Sequence, residues 1–464
     1  MTKNNHTKFL TESRSLLKMA LPLFIAQLAQ MGTGVVDTIM AGRYDAMDLA
    51  AIAIGYNIWL PIYLFFIGAM LATTAIAAQD FGAGRLQQIR DLLPQSLWLA
   101  LAMGLVALPL CYYCSPILDQ LNLDTATRTK SLAYVQATAF GMPAAAIFQA
   151  LRCHIQGIGI MRPFAIASVL AFLANIPLNY AFIYGKWGIP EMGAAGCGWA
   201  TAISMWLGPL FIAFYIARAK NLKPYLPELK WVKPKLALIK EISRQGVPIG
   251  LTFFFEVAVF SIIGFFIARQ GNTAMASHQI AMNVWDVVYM PLISIGTAMT
   301  TRMGHAIGAR DKPATLLAVQ CGASITMLIG AGITVILLAA PELIVHAYTD
   351  DQGILVMSVA LIRLAGLFIL LDAVQVVASF GLRAYKDNRY PFLVMLVAYW
   401  LLALPLGYYL GAVVADNAMD GTAGFWKAMI AGIGLAAVLV VVRLRSWLRK
   451  PLPDLTPMAH RESE

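Results

Sequence analysis

The chain has 464 residues, of which 59% are hydrophobic and only 12% charged, and its mean hydropathy is +0.70. A water-soluble protein of this size would lack the polar surface to cover itself, so soluble classes are excluded and an integral membrane protein is expected. The net charge of +10 then bears on orientation in the bilayer, and no nucleic-acid partner is expected.

In chain order, a polar, basic N-terminus (MTKNNHTKFLTESRSLLK) comes first, with no short apolar core and small-residue cleavage site, so no removable signal peptide is expected. Long apolar runs follow at 16–41, 48–78, 92–117, 131–151, 163–185 and 195–217, then at 246–269, 274–300, 314–339, 353–380, 391–414 and 424–442. Each is long enough to cross a core of about 30 Å as a helix, which takes roughly 20 residues. Ten-residue alternation is absent, which excludes spanning strands. The expected fold class is an all-α integral membrane protein with twelve transmembrane helices in two six-helix lobes.

The basic, proline-containing stretch 218–244 cannot span a bilayer and reads as a tether. The domain reading is a first lobe at 1–217, a linker at 218–244, a second lobe at 245–442 and a tail at 443–464. Twelve spans put both termini and the linker on one face. All of the 34 Lys and Arg residues fall on that face except Arg43, Arg128, Lys130, Lys186, Arg269, Arg363 and Lys427. By the positive-inside rule that face is cytoplasmic.

The halves repeat. Pro22 is answered by Pro248, and Ile54, Asn57 and Trp59 by Ile280, Asn283 and Trp285, at an offset of 226. Further on, Pro163-Phe164 matches Pro391-Phe392 and Gly193 to Gly196 matches Gly421 to Gly424, at an offset of 228. An even number of spans per half makes these parallel repeats, related by an axis along the membrane normal.

Four acids lie inside apolar runs: Asp37, Glu256, Asp286 and Asp372. A charge near the bilayer centre costs at least about 2.5–3.5 kcal/mol, so such residues hold a proton, bind a cation or face water. Arg363 is nine residues from Asp372, roughly 13 Å along a helix and too far to pair with it. None of the acids is duplicated: Gln30, Leu60, Ala144 and Ile263 stand opposite Glu256, Asp286, Asp372 and Asp37. The alternative for each is a hydrogen bond that merely packs two helices.

Asn175 and Asn179 share one helix face, with Pro177 between them freeing a carbonyl, so they offer neutral oxygens that with Asp37 would hold Na+ or a proton network. Their alternative role is interhelical adhesion. Gln279, Asn283 and Asp286 continue one polar face toward a cavity, and methionines and phenylalanines suit an adaptable pocket for flat lipophilic cations. Cys111 and Cys114 lack a second ligand pair for a metal. Walker A, HExxH and GxSxG motifs are absent from the sequence, so nucleotide hydrolysis and hydrolase chemistry have no support and the chain is not read as an enzyme.

The segments MALPLFIAQLAQMGTGVVDTIMAG, AAIAIGYNIW, NIPLNYAFIYGKWGIPEMGAAGCGWATA, PIGLTFFFEVAVF, ASHQIAMN and GLRAYKDNRYP together resemble the multidrug and toxic compound extrusion (MATE) family, in its bacterial NorM-like branch. The resemblance covers nearly the whole chain. It implies two six-helix lobes set as a V, and export of cationic lipophilic drugs and dyes in exchange for Na+ or H+, with no cofactor. It also implies a bacterial inner-membrane location with cytoplasmic termini, and function as a monomer.

The same resemblance places a cation site on Asp37, Asn175 and Asn179 with Thr201 beside them, coupling acids on Glu256 and Asp372, and a cavity glutamine on Gln279. Some members have a tyrosine where this chain has Phe368, one turn before Asp372, so a hydroxyl ligand is missing there, and Phe368 is expected to line the substrate cavity with Gln279, Asn283 and Asp286. Asp286 has no family counterpart and rests on burial logic alone. The alternative functions are a flippase for a lipid-linked precursor, for which a cavity rich in Arg and Lys would be expected, an exporter of an endogenous metabolite, and a passive channel.

Overall fold

The computed structural model describes residues 3–121, 123–226 and 232–453, and among these residues every regular element is a helix. Eleven helices are long and apolar enough to cross a membrane, and one bent pair completes a twelfth span. We number them α1 (Lys3–Tyr44), α2 (Ala46–Gly82), α3 (Leu86–Tyr112), α4 (Thr125–Ala139 with Met142–Gly157), α5 (Arg162–Ile183) and α6 (Gly193–Arg218). The second half contains α7 (Leu236–Ala268), α8 (Asn272–Gly308), α9 (Lys312–Ala339), α10 (Gln352–Ala384), α11 (Arg389–Val413) and α12 (Ala418–Arg449).

Two spans depart from regular helix, each at a proline. α4 bends by 41° between its two segments, next to Pro143, whose ring has no N–H to donate and would collide with the carbonyl of Ala139. Its repeat counterpart α10 lacks a proline and runs unbroken. α11 widens into π-helix at Leu396–Ala403 and Tyr409–Val413, on either side of Pro405, so its backbone absorbs the missing hydrogen bond without breaking.

α7 starts at Leu236, inside the stretch assigned to the tether, because LALIKEI is rich in helix formers and buries Ile242. The helix α12 likewise continues to Arg449, past the expected start of the tail, while 454–464 and the tether residues 227–231 lie outside the described residues. The described part of the tether is bound to α3. Trp98 Nε1 donates to the Val232 carbonyl at 3.0 Å, Arg90 Nε to the Pro224 carbonyl at 2.8 Å, and Lys235 pairs with Asp91 at 2.7 Å.

Within the first half α1 packs on α5, α5 on α6, and α4 on α2 and α3; within the second α10 is central, against α8, α9 and α12. The halves meet where α2 crosses α7 and α8, and where α1 crosses α8 and α9. The α2–α7 crossing is close because a Cβ at Gly68 would meet Gly250 Cα at 2.6 Å.

Among the described residues, hydrogen bonds between the halves lie from mid-membrane to the end that carries the termini. Gln27 Nε2 donates to Ser294 Oγ at 2.9 Å, Gln79 Nε2 to the Ala384 carbonyl at 2.7 Å, and Arg302 engages both oxygens of Glu12. His305 Nε2 lies 2.7 Å from the Gly157 carbonyl. At this end the two lobes are closed on each other.

Candidate functional site

Two polar clusters sit inside the helices, one per lobe. In the first, α1 brings Asp37 against α5 and α6, and the carboxylate is only 6% exposed. Its Oδ1 accepts from Asn179 Nδ2 at 2.5 Å and its Oδ2 from Thr201 Oγ1 at 3.0 Å. Asn179 Nδ2 also donates to Asn175 Oδ1 at 2.9 Å. The i, i+4 spacing therefore delivers two amides to one carboxylate, and the four residues expected to meet do meet.

Asn175 and Asn179 are fully buried, yet Asn179 Oδ1 and Asn175 Nδ2 have no hydrogen-bond partner. A buried amide oxygen left unpaired beside a carboxylate is an exception that needs a reason. A small hard cation, which takes oxygen ligands, supplies one. Among the described residues there is no cluster of three His, Cys, Asp or Glu, so a site here would rest on one carboxylate and neutral oxygens.

The second cluster is aromatic and carboxylic. Asp372 on α10 is 3% exposed and accepts from Trp285 Nε1 at 3.4 Å. Tyr289 stacks on the Trp285 ring with centroids 5.0 Å apart, so α8 presents one aromatic face to the acid. Glu256 on α7 lines a cavity of about 30 Å³ together with Gln375 and Ser379, one and two turns beyond Asp372, and with Arg383. Arg383 lies over the rings of Phe380 and Phe253, at 4.0 and 5.6 Å, and its Nη1 has no hydrogen-bond partner. It is a buried cation in the Glu256 cavity that the sequence alone did not place there.

The remaining predicted residues separate. Gln279 and Asp286 are exposed and Asn283 is half-buried. Phe368 does not line this surface. It is 2% exposed and packs edge-on to Trp285 and Trp426, because it shares the inward face of α10 with Asp372. Trp285 was missed as a partner of Asp372, although its match to Trp59 across the repeat singled it out.

The repeat counterparts explain why the first-lobe cluster occurs once. Opposite Asp37, Asn175, Asn179, Cys197 and Thr201 stand Ile263, Ala403, Gly407, Phe425 and Met429. Phe425 is fully buried, and a Cβ at Gly407 would meet its ring at 2.9 Å, so an apolar ring fills the volume that the amides occupy in the first lobe.

At the ends of the helices, a further polar corner ties the first lobe together. Asp48, 2% exposed, accepts from Lys130 Nζ at 2.5 Å and from the Ala194 backbone N–H at 2.6 Å, joining α2, α4 and the start of α6. Asp45 also pairs with Lys130, at 3.1 Å, and that hydrogen bond holds its carboxyl below the usual range.

Twelve spans in two lobes, closed at one end and each holding one buried acid cluster, define a two-lobed membrane transporter. The sequence profile of MatE matches residues 22–181 and 248–409, one block in each lobe, and the chain belongs to that family. It is 38% identical over 444 residues to the multidrug resistance protein MdtK of Yersinia pseudotuberculosis serotype O:1b, a match covering 96% of this chain and 97% of that one. It is 36% identical over 454 residues to the MdtK of Photorhabdus laumondii subsp. laumondii, covering 98% and 99%.

Among solved structures, the eukaryotic MATE transporter AtDTX14 superposes with a TM-score of 0.85 at 18% identity, covering 98% of both chains. An outward-facing multidrug resistance MATE transporter of the MOP superfamily superposes with a TM-score of 0.84 at 19% identity, covering 95% and 97%. At these identities the likeness concerns the fold alone.

Proposed function

We propose that this chain is a secondary active multidrug efflux transporter that exports cationic lipophilic compounds in exchange for inward Na+ or H+. The observation that carries the reading is the pair of buried, unduplicated acid clusters in a two-lobed transporter whose relatives are named for multidrug resistance. In this reading 1–217 and 245–442 are the moving lobes, 218–244 is the tether and 443–464 the tail. The protein sits in the bacterial inner membrane with both termini cytoplasmic, and it works as a monomer without a cofactor.

Asp37, Asn175, Asn179 and Thr201 hold the ion in the first lobe, and Asp372 with Glu256 exchanges it in the second. Loading the acids from the outside removes the negative charge that attracts the drug cation, which then leaves. Release of the ion inside restores that attraction. Ion and drug thus compete through linked sites, each shifting the balance between lobe arrangements. Gln279, Asn283 and Asp286 contact the drug in the cleft.

The test is ethidium efflux from proteoliposomes under a Na+ gradient and a pH gradient imposed separately. We expect at least one gradient to drive efflux, and either Asp37→Asn or Asp372→Asn to abolish it with the protein still inserted. Undiminished efflux by both variants overturns the assignment of the coupling acids. Failure of both gradients to move any cationic dye favours the passive or lipid-linked alternatives.

A further inference from the structure

On the side of α1 that faces α8 and α9 there is a groove of about 840 Å³ that the transport cycle above does not use. Its wall on α1 runs from Thr11 to Phe24, roughly 20 Å at 1.5 Å per residue. That is about the depth of one leaflet, counting half of a 30 Å hydrocarbon core and the headgroup layer. The two ends differ in chemistry. At the shallow end Arg14 and Lys18, both exposed and one helical turn apart, form a basic rim. The deep end is hydrocarbon, made by Leu21, Phe24, Ile295 and Ile329.

Among the described residues no acid neutralises the basic rim. Glu12, the acid nearest in sequence, has both carboxylate oxygens engaged by Arg302, at 2.8 and 2.5 Å. Neither Arg14 nor Lys18 has a carboxylate within ion-pair distance among the described residues. The polar group in the deep end is already satisfied, since Ser294 Oγ accepts from Gln27 and donates to the Met290 carbonyl. A ligand of this groove therefore needs an anionic head and long apolar chains, and it needs no polar group at depth. The positive rim repels a lipophilic cation.

We propose that this groove is a binding site for an anionic phospholipid, with its phosphate on Arg14 and Lys18 and its acyl chains along α1, α8 and α9. The assignment of the leaflet rests on the proposed cytoplasmic position of the termini; the chemistry of the site does not. α1 belongs to the first lobe and α8 and α9 to the second, so the lipid lies across the seam between them. It bridges the lobes in the arrangement described here and is released when the seam opens.

The experiment is native mass spectrometry of the purified full-length protein, titrated with phosphatidylglycerol or phosphatidylcholine carrying the same acyl chains. The wild type should retain phosphatidylglycerol about tenfold or more over phosphatidylcholine, as two interfacial basic residues predict. Arg14→Ala/Lys18→Ala should fall to the phosphatidylcholine level, while Arg14→Lys/Lys18→Arg should keep the preference.

Equal retention of both lipids by the wild type would mean ordinary annular lipid and would overturn the site. Undiminished preference in the double alanine variant would place the lipid elsewhere and overturn it equally, as would one-for-one displacement of phosphatidylglycerol by ethidium. No gradient is involved, so a protein that fails to pump but keeps the preference overturns the transport reading and leaves this one standing.

Discussion

Trp285 on α8 donates its indole N–H to Asp372 on α10 at 3.4 Å, whereas Trp59, its counterpart in the first lobe, donates to the Tyr134 hydroxyl at 3.3 Å. The two lobes therefore keep the same donor and change what it serves. In the second lobe the donor addresses an ionisable group, so the bond is stronger when that group is charged. Trp285→Phe removes the N–H and keeps the ring. We expect a loss of about 1 kcal/mol or less from so long a bond, hence a less than tenfold fall in apparent ion affinity. Concentration dependence of gradient-driven dye efflux measures it, and Trp59→Phe serves as the control that leaves affinity unchanged.

In the first lobe the hydroxyl of Thr201 donates to Asp37 Oδ2 at 3.0 Å. Thr201→Val keeps the shape and removes that bond, and a hydrogen bond to a charged group is worth about 1.5–3 kcal/mol. Apparent Na+ affinity should fall about tenfold or more, read from Na+-dependent intrinsic fluorescence. An equal change in the pH dependence with none in the Na+ dependence would make the cluster a proton site.

The lobe seam depends on glycines at the end that carries the termini. A Cβ at Gly82 would overlap the His305 carbonyl, and one at Gly308 would overlap the Gln79 carbonyl. Gly82→Ala should prevent closure here and leave each lobe intact, because the clash is between lobes. Efflux should be lost, with longer spin-label distances between the terminal ends of α2 and α8.

The Asp45–Asp48–Lys130 corner gives a pH dependence with a definite sign. The Asp45 carboxyl is held below its unfolded value chiefly by the Lys130 hydrogen bond. Its contribution to stability is therefore present above the unfolded carboxylate value of about 4 and is lost as the pH falls through the folded value. Lys130→Met should abolish that acid-side loss. It should also lower thermal stability near neutral pH by about 1–3 kcal/mol, because Asp48 is left buried with one partner fewer. Detergent thermal-shift measurements at pH 3.5 and 7 separate the two effects.

Asp286 is exposed on the lobe surface, unlike the other three acids. Asp286→Asn should raise the KM for a cationic dye severalfold with coupling intact, and a loss of ion-driven transport altogether would move it into the coupling set. A change in neither places it outside the machinery.

The span count and the duplication were legible in the sequence because a bilayer imposes one rule on every segment: about 20 apolar residues closed on their own hydrogen bonds. The first-lobe cluster was legible in part. Asn175 and Asn179 announce themselves by helical spacing, a local property, while the meeting of Asp37 with Thr201 spans 164 residues and was named through family likeness. Which prolines bend a span was not legible, since Pro143 bends α4 while Pro177 leaves α5 continuous. Whether a proline bends its helix depends on what packs around it.

By itself, then, the sequence determined the membrane class, the twelve spans, the parallel repeat and which acids occur only once, all of them properties of local composition and spacing. Tertiary packing decided the rest. It took Phe368 off the surface and into the core against Trp285 and Trp426, and it set Arg383 in the Glu256 cavity. It filled the second-lobe counterpart of the amide site with Phe425. Each of these turns on which face a helix gives to its neighbour, and that is settled by how volumes from distant segments fit together.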